Sequence, residues 1–253
     1  MRLWFGGDVH LGAGALPALP LVGDGVVNLE GPVGEGASSP ERLVNASVAS
    51  LPDAGVRVAW VENNHADDDG PQGRARTLRA LEDVGVAAAG VTVRGNVVFM
   101  GIDVSKGVFG AELDAARARA EVLVVGLHVT APPLLLPESD LEVAVELALE
   151  HGASVVVAHG SHALGRVERR GGKVIAWGLG NLQFECPCTQ EQDGLVLEVE
   201  LDGDRVAAAW AVPVSAGLQG GAATLSVQPD VVFGLLESLG SAPLARDGAR
   251  ARF

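Results

Sequence analysis

The sequence predicts an α/β fold, and three observations carry that reading. Short apolar, strand-like runs alternate with Ala- and Leu-rich helical segments over roughly the first 190 residues. From residue 194 onward the texture becomes mainly β. Hydrophobic residues make up 48% of the 253, ample for a sizeable core and unlike a disordered chain. A chain of this length suits one large domain or two small ones.

Seven runs read as strands: RLWFG at 2–6, VVNL at 26–29, VRVAWV at 56–61, VVFMGI at 97–102, VLVVGL at 122–127, SVVVA at 154–158 and KVIAWG at 173–178. Helices are expected at 41–52, 72–84, 111–120 and 138–150. Within 72–84, Leu78, Leu81 and Val84 recur at three-residue spacing as an apolar stripe, and Gly85 then stops the helix. The stretch GLVLEVELDGDRVAAAWAVPV reads as two period-two strands joined at an Asp-Gly turn, a hairpin. There is neither a Pro/Gly/Ser-rich linker nor a repeat, so residues 1–240 are expected to form a single domain. Residues 241–253 are expected to be a frayed tail.

The formal net charge of −14 argues against nucleic acid or an anionic membrane held through the overall field. A small anionic or phosphorylated substrate stays open, because bound cations invert the local field. MRLWFGGDVHLG enters a core strand at once, without a basic segment and a long apolar one, and no apolar run approaches the ~20 residues of a spanning helix. A soluble, cytoplasmic protein is the expectation. Cys186 and Cys188, separated only by Pro187, are poorly spaced for an ordinary disulfide and are expected as two reduced loop thiols, with a metal or redox role the other reading.

Chemistry enters with the histidines. Of six, His10, His65, His128, His159 and His162 directly follow apolar strand-like runs; His151 ends a helix, where it suits the helix C-terminus. The carboxyl ends of strands are where α/β sheets bind ligands, so five imidazoles would gather in one cleft. Asp8 and His10, two apart, point to the same side. Glu30 offers a bridging carboxylate and Asn64 an amide oxygen. This mixed N/O donor set suits Mn, Zn or Fe. Two such ions sharing a carboxylate, about 3.5–4 Å apart, clamp an ester under hydrolysis. Unrelated polar strand ends are the bland alternative. Asp67 and Asp69 read as loop solvation or a helix cap, Asn181 as a turn residue or a support for the site. Arg166, Arg169 and Arg170 read as a solvated turn or a contact for an anionic substrate.

Four motifs in order resemble the CapA-type (poly-γ-glutamate capsule biosynthesis) family of the calcineurin-like metallophosphoesterases. They are GGDVHLG, NLEGPV at 28–33, NNHADDDG at 63–70 and GASVVVAHGSHALGRVERRGGKVIAWGLGNLQF at 152–184. The resemblance implies a β-sandwich flanked by α-helices, four layers in the order αββα, with a two-metal site at one sheet edge. By position, Asp8, His10 and His162 would hold one metal and Asn64, His128 and His159 the other, with Glu30 bridging. His65 is similar to the histidine that protonates the leaving oxygen, oriented by Asp68, while metal-bridging hydroxide attacks. The family's H-W-G-x-E is HVTAPPLLLP here, and Gly160 and Ser161 replace its His and Pro. The expected function is therefore a two-metal hydrolase acting on a phosphoester. The other reading is a non-hydrolytic accessory protein that binds an acidic peptide or polymer during capsule or peptide assembly.

Overall fold

The computed structural model describes residues 1–130 and 139–253. The run APPLLLPE at 131–138, which holds the family departure after His128 and the first residue of the helix expected at 138–150, lies outside the described residues.

Strands β1 (Arg2–His10), β2 (Asp24–Leu29) and β3 (Val56–Trp60) lie side by side and parallel. Helix α1 (Gly70–Asp83) leads to β4 (Ala87–Ala89), parallel to β3. The chain then builds a second sheet from β5 (Val91–Arg94), β6 (Val97–Asp103), β7 (Val122–His128), β8 (Ala153–His159), β9 (Val167–Arg170) and β10 (Lys173–Ala176), in the order β5-β6-β7-β8-β10-β9. Helices α2 (Gly110–Arg117) and α3 (Ser139–Glu150) make its crossovers. The chain returns to the first sheet with β11 (Asn181–Phe184), parallel to β1, then the long hairpin β12 (Asp193–Asp202) and β13 (Arg205–Ser215). Short β14 (Gly217–Leu218) and β15 (Thr224–Leu225), α4 (Pro229–Ser238), β16 (Ala245–Asp247) and β17 (Arg250–Arg252) complete it.

The core sits between the sheets. Leu3, Phe5, Val58, Trp60, Leu195 and Leu197 from the first sheet meet Val97, Phe99, Val124, Val155, Val157 and Val174 from the second, all buried. Along β12, Leu195, Leu197 and Val199 join this layer while Val196 faces the other side, as the period of two requires. Strands β6, β7 and β8 are buried from end to end because the second sheet is covered on both faces; α2 and α3 supply the outer cover. The outer face of the first sheet is covered by Leu81 of α1 and by Leu16, Val48, Leu51 and Ala54 from the connections. The expected four-layer α/β sandwich is thus the fold. Trp60 fixes the spacing of its two sheets: its ring lies against Phe5 and His159, and a Cβ at Gly126 would come within 2.4 Å of it.

All seven expected strands form, as do three of the four expected helices. The helix expected at 41–52 does not form; the segment is a chain of turns and bridges. Asn45 explains this. Its Oδ1 accepts from Leu11 N at 2.7 Å, and its Nδ2 donates to Glu30 O and Gly31 O at 2.9 and 2.8 Å. The segment's own N–H groups are spent on distant loops as well, Asn45 N on Pro32 O at 2.8 Å and Ala46 N on Gly12 O at 2.7 Å, in place of an i to i−4 ladder, and Leu43, Val44, Val48 and Leu51 bury themselves as an irregular wrap.

The stripe on α1 also shifts. Gly73, Thr77 and Leu81 face inward, four residues apart, while Leu78 is 40% exposed. Cys186 and Cys188 are joined as a disulfide, against the expectation of free thiols, because a turn brings their Cα atoms to 5.2 Å. The expected frayed tail instead carries a hairpin, β16–β17, which pairs with β13 and buries Ala251. Helix α4 went unforeseen. His151 bonds across to Asp114 of α2 at 2.7 Å, so it ties two helices as well as ending one.

Candidate metal centre

The parallel strands of both sheets deliver their polar ends to one place. Asp8 lies in β1 at a register shift, its N–H donating to Gly180 O at 2.9 Å. Glu30 follows β2 and its N–H donates to Val9 O at 2.8 Å, which sets it beside β1. His128 and His159 end β7 and β8 as directly paired neighbours. His162 sits in the turn after β8 with φ +55°, a left-handed conformation sparsely populated by residues other than glycine. Gly160, at φ +90°, makes this turn possible: a Cβ there would lie 2.6 Å from the His128 ring and 2.3 Å from Val129 O. Its N–H also donates to Asp8 Oδ2 at 3.1 Å. The departure from the family pattern at this position therefore makes room for His128.

Asp8, Glu30 and His162 bring ligand atoms within 4.8 Å of one another. His162 Nδ1 is 3.1 Å from Asp8 Oδ2 and 3.0 Å from Asn181 Oδ1. Two acceptors there place the proton on Nδ1 and leave Nε2, 3.9 Å from Glu30 Oε1, to bind. His159 Nδ1 is 3.4 Å from Asp8 Oδ1, and His128 Nε2 is 3.5 Å from Glu30 Oε1. Burial alone would raise the Asp8 carboxyl, but His159 and His162 hold it well below its ordinary value. Burial likewise pulls the His162 imidazole down, but Glu30, Asp8 and Asn181 outweigh it and raise it to about 9.

His10 is fully buried, its ring against Phe184. Its Nε2 donates to Val44 O at 3.1 Å and lies 3.0 Å from Ser38 Oγ, which leaves Nδ1 bare. Burial pushes this imidazole down, toward the neutral form a metal requires. His65 Nδ1 is 2.7 Å from Asp68 Oδ2, and Leu43 N–H donates to the same oxygen at 2.7 Å. His65 is also near enough for its charge to lower His10.

Asn64 is exposed, whereas Asn63 is buried and donates to Asn28 Oδ1 and Leu29 O at 3.2 and 2.9 Å. Asn28, which the sequence reading did not single out, donates to Asp8 Oδ1 at 2.9 Å. Its signal was its place near the carboxyl end of β2, two residues before Glu30. Asn45, Ser38 and Phe184 were missed because their role depends on long-range packing. Asn181 supports the site as one reading had it, since its Oδ1 faces His162. Asp69 holds the N-cap position of α1, but its carboxylate is taken by Arg42 and Arg76. Asp67 is exposed. Arg166, Arg170 and Trp177 line a groove of about 500 Å³ beside α3, away from the cluster. There Arg166 stacks on Trp177 and Arg170 pairs with Glu168 and Glu146, while Arg169 donates to Val206 O.

Whether these residues fit a metal is answered by their unused atoms. His10 Nδ1, Glu30 Oε2 and both ring nitrogens of His128 and His159 are buried without a protein hydrogen-bond partner. Each such atom costs about 1–3 kcal/mol unless something satisfies it. They fall on four neighbouring residues, and since a neutral imidazole lends one nitrogen and keeps its proton on the other, His10, Glu30, His128 and His159 offer one ligand atom each, the N/O donors that a borderline transition-metal ion takes. The residues fit.

Fold and site together define a layered α/β protein with a candidate metal centre where the strands of two packed sheets end. The model of the bacterial capsule synthesis protein PGA_cap family matches residues 24–97 and 103–185, more than half of the chain, and the chain belongs to that family. The match takes in Glu30, Asn64, His65, Asp68, His128, His159 and His162; Asp8 and His10 precede it. Among curated proteins none matches this chain. No helix among the described residues is long and apolar enough to cross a membrane.

Proposed function

We propose that the protein is a two-metal hydrolase acting on a phosphoester. Asp8, His10, Glu30, His128, His159 and His162 would hold two divalent ions of Mn, Zn or Fe, with Asn64, exposed in this structure, as the neutral donor. The observation that carries this reading is the set of six buried, unpartnered nitrogen and oxygen atoms around the Asp8–Glu30–His162 triad. When bound, such ions supply Lewis acidity toward the phosphoryl oxygens and acidify water near neutral pH.

The chain's own residues do the rest. On the floor of the site, Asn28 Nδ2 and the Gly160 N–H donate to the Asp8 carboxylate and hold it in a fixed orientation. Asn181 and Asp8 hold the proton of His162 on Nδ1. Asp68, itself fixed by Leu43 N–H, accepts from His65 Nδ1 and orients the ring. Nε2 is then the atom from which a proton passes to the leaving oxygen as the ester bond breaks. The second reading, a non-hydrolytic accessory protein binding an acidic peptide or polymer, is favoured by the family's description as capsule synthesis proteins.

Metal analysis of protein purified without chelator, beside assays on phosphodiesters and phosphomonoesters, separates the two. The hydrolase should carry about two transition ions per chain. His65→Ala should keep them while losing roughly 10²–10⁴ in kcat, and Asp8→Ala should lose metal and activity together. Fewer than about one ion per chain in metal-replete protein would sink the dinuclear site. Bound metal with wild type and His65→Ala equally inert on every ester would favour the accessory role.

A further inference from the structure

The Cys186–Cys188 pair has no part in the chemistry above, yet it sits directly behind the cluster. Cys186 is fully buried against Leu43 and Phe184. The Phe184 ring lies 5.4 Å from the His10 ring and 4.8 Å from that of His162. Cys188 is exposed, and its backbone N–H donates to Cys186 Sγ at 3.2 Å. The same turn runs on into Thr189 and Glu191, whose hydroxyl and carbonyl accept from Asn181 Nδ2 at 3.3 and 3.2 Å. Asn181 is the residue that faces His162 Nδ1.

A structural staple is poorly served by this pair. A cross-link between residues two apart closes a minimal loop and restrains the unfolded chain less than a long-range bridge does. Its asymmetry suits another task. Thiol–disulfide exchange needs one sulfur that a small molecule can reach and one, shielded, that resolves the mixed disulfide.

We propose that Cys186 and Cys188 form a thiol–disulfide exchange site for a low-molecular-weight thiol and its disulfide, and that their redox state sets the position of His162. In the oxidising direction the Cys188 thiolate attacks a disulfide RSSR, forming a mixed disulfide and releasing RS⁻. The Cys186 thiolate then attacks the Cys188 sulfur and expels the second RS⁻. The two cysteine protons end on two RSH, and two electrons pass from the pair to RSSR. Two RSH reverse the reaction. The closed pair fixes the 186–191 turn, and through it the Asn181 amide and the Phe184 face on which His162 rests; the open pair releases both.

The test uses the full chain, free of metal, equilibrated in glutathione buffers of varied reduced-to-oxidised ratio, acid-quenched and alkylated with a maleimide. Both thiols should appear and vanish together, without a glutathione adduct on the wild type. Cys186→Ser should accumulate the adduct at Cys188, while Cys188→Ser should stay unmodified at the buried Cys186. Histidine ¹H–¹⁵N spectra of the two forms should shift the His162 signal, assigned with His162→Gln, and leave that of His151, at the far end of β8, in place. A pair that stays oxidised or stays reduced across all buffers, or equal adducts on both single variants, overturns the exchange site. Exchange with an unmoved His162 signal overturns the coupling. Neither readout needs metal or turnover, so failure here is distinct from failure of the hydrolase reading.

Discussion

His162 combines a left-handed backbone with an imidazole raised to about 9. A histidine raised on folding contributes stability that is complete below its unfolded value, near 6.5, and is lost as pH rises through about 9. For metal-free protein this amounts to on the order of 3 kcal/mol at most. Asp8, depressed on folding, contributes above its ordinary value and loses that contribution as pH falls below it. Chelator-treated protein should therefore lose thermal stability from pH 6.5 to 9, and His162→Gln should flatten that limb in a calorimetric pH series. A wild-type Tm that stays level across this range would show that His162 does not gain its proton from folding. The His65–Asp68 pair makes a separate prediction. Asp68→Asn keeps the shape but removes the charge that faces His65 Nδ1. Steady-state assays on the metal-loaded variant should show kcat reduced by roughly tenfold or more with metal content unchanged. An unaltered kcat would remove Asp68 from the reaction.

Secondary-structure elements divide by how locally their signals are written. The seven core strands were legible because unbroken apolar runs such as Val122–Leu127 match strands buried on both faces. Their carboxyl ends marked the site for the same reason, so Asp8, Glu30, His128, His159 and His162 could be grouped from sequence. The segment at 41–52 was not legible, because its Leu and Val spacing imitates a helix while Asn45 commits it to a partner 34 residues away in sequence. The β16–β17 hairpin was hidden for a related reason: its strands have three residues each, and only pairing with β13 gives them order. Cys186 and Cys188 escaped because spacing alone does not reveal a turn. Asn45 makes the point measurable. Asn45→Ala strips partners from Leu11 N, Glu30 O and Gly31 O, and should cost roughly 2–4 kcal/mol in denaturant unfolding. Since it sits over the ends of β1 and β2, it should also weaken metal binding. Destabilisation below about 0.5 kcal/mol would mean that water replaces all three bonds.

At the scale of the whole molecule, the candidate ligands come from opposite sides of the sandwich. Asp8 and His10 belong to the larger sheet and Glu30 directly follows its β2, His128 and His159 belong to the smaller one, and His162 to the turn that follows β8. Two ions bound there would tie the sheets at the end where the apolar core gives way to unsatisfied polar atoms. Binding to the folded state alone adds about 2.7 kcal/mol at a hundredfold excess over Kd. For a protein of this size that corresponds to a rise in Tm of roughly 5–10 °C. Mn²⁺ should thus raise the Tm of chelator-treated protein, and Asp8→Asn or His128→Gln should suppress the rise. A double-mutant cycle on those two residues asks more. Asp8 contacts His159 and His162, whereas His128 contacts Glu30. Without metal a coupling of about 0.5–3 kcal/mol is already expected, because His162 lies 3.1 Å from Asp8 Oδ2 and 3.9 Å from Glu30 Oε1 and so joins the two contacts. With Mn²⁺ present the coupling should grow, because either substitution alone already removes the link between the sheets. A coupling that Mn²⁺ leaves unchanged would mean that no ion joins the two sheets, and the dinuclear centre would have to be abandoned.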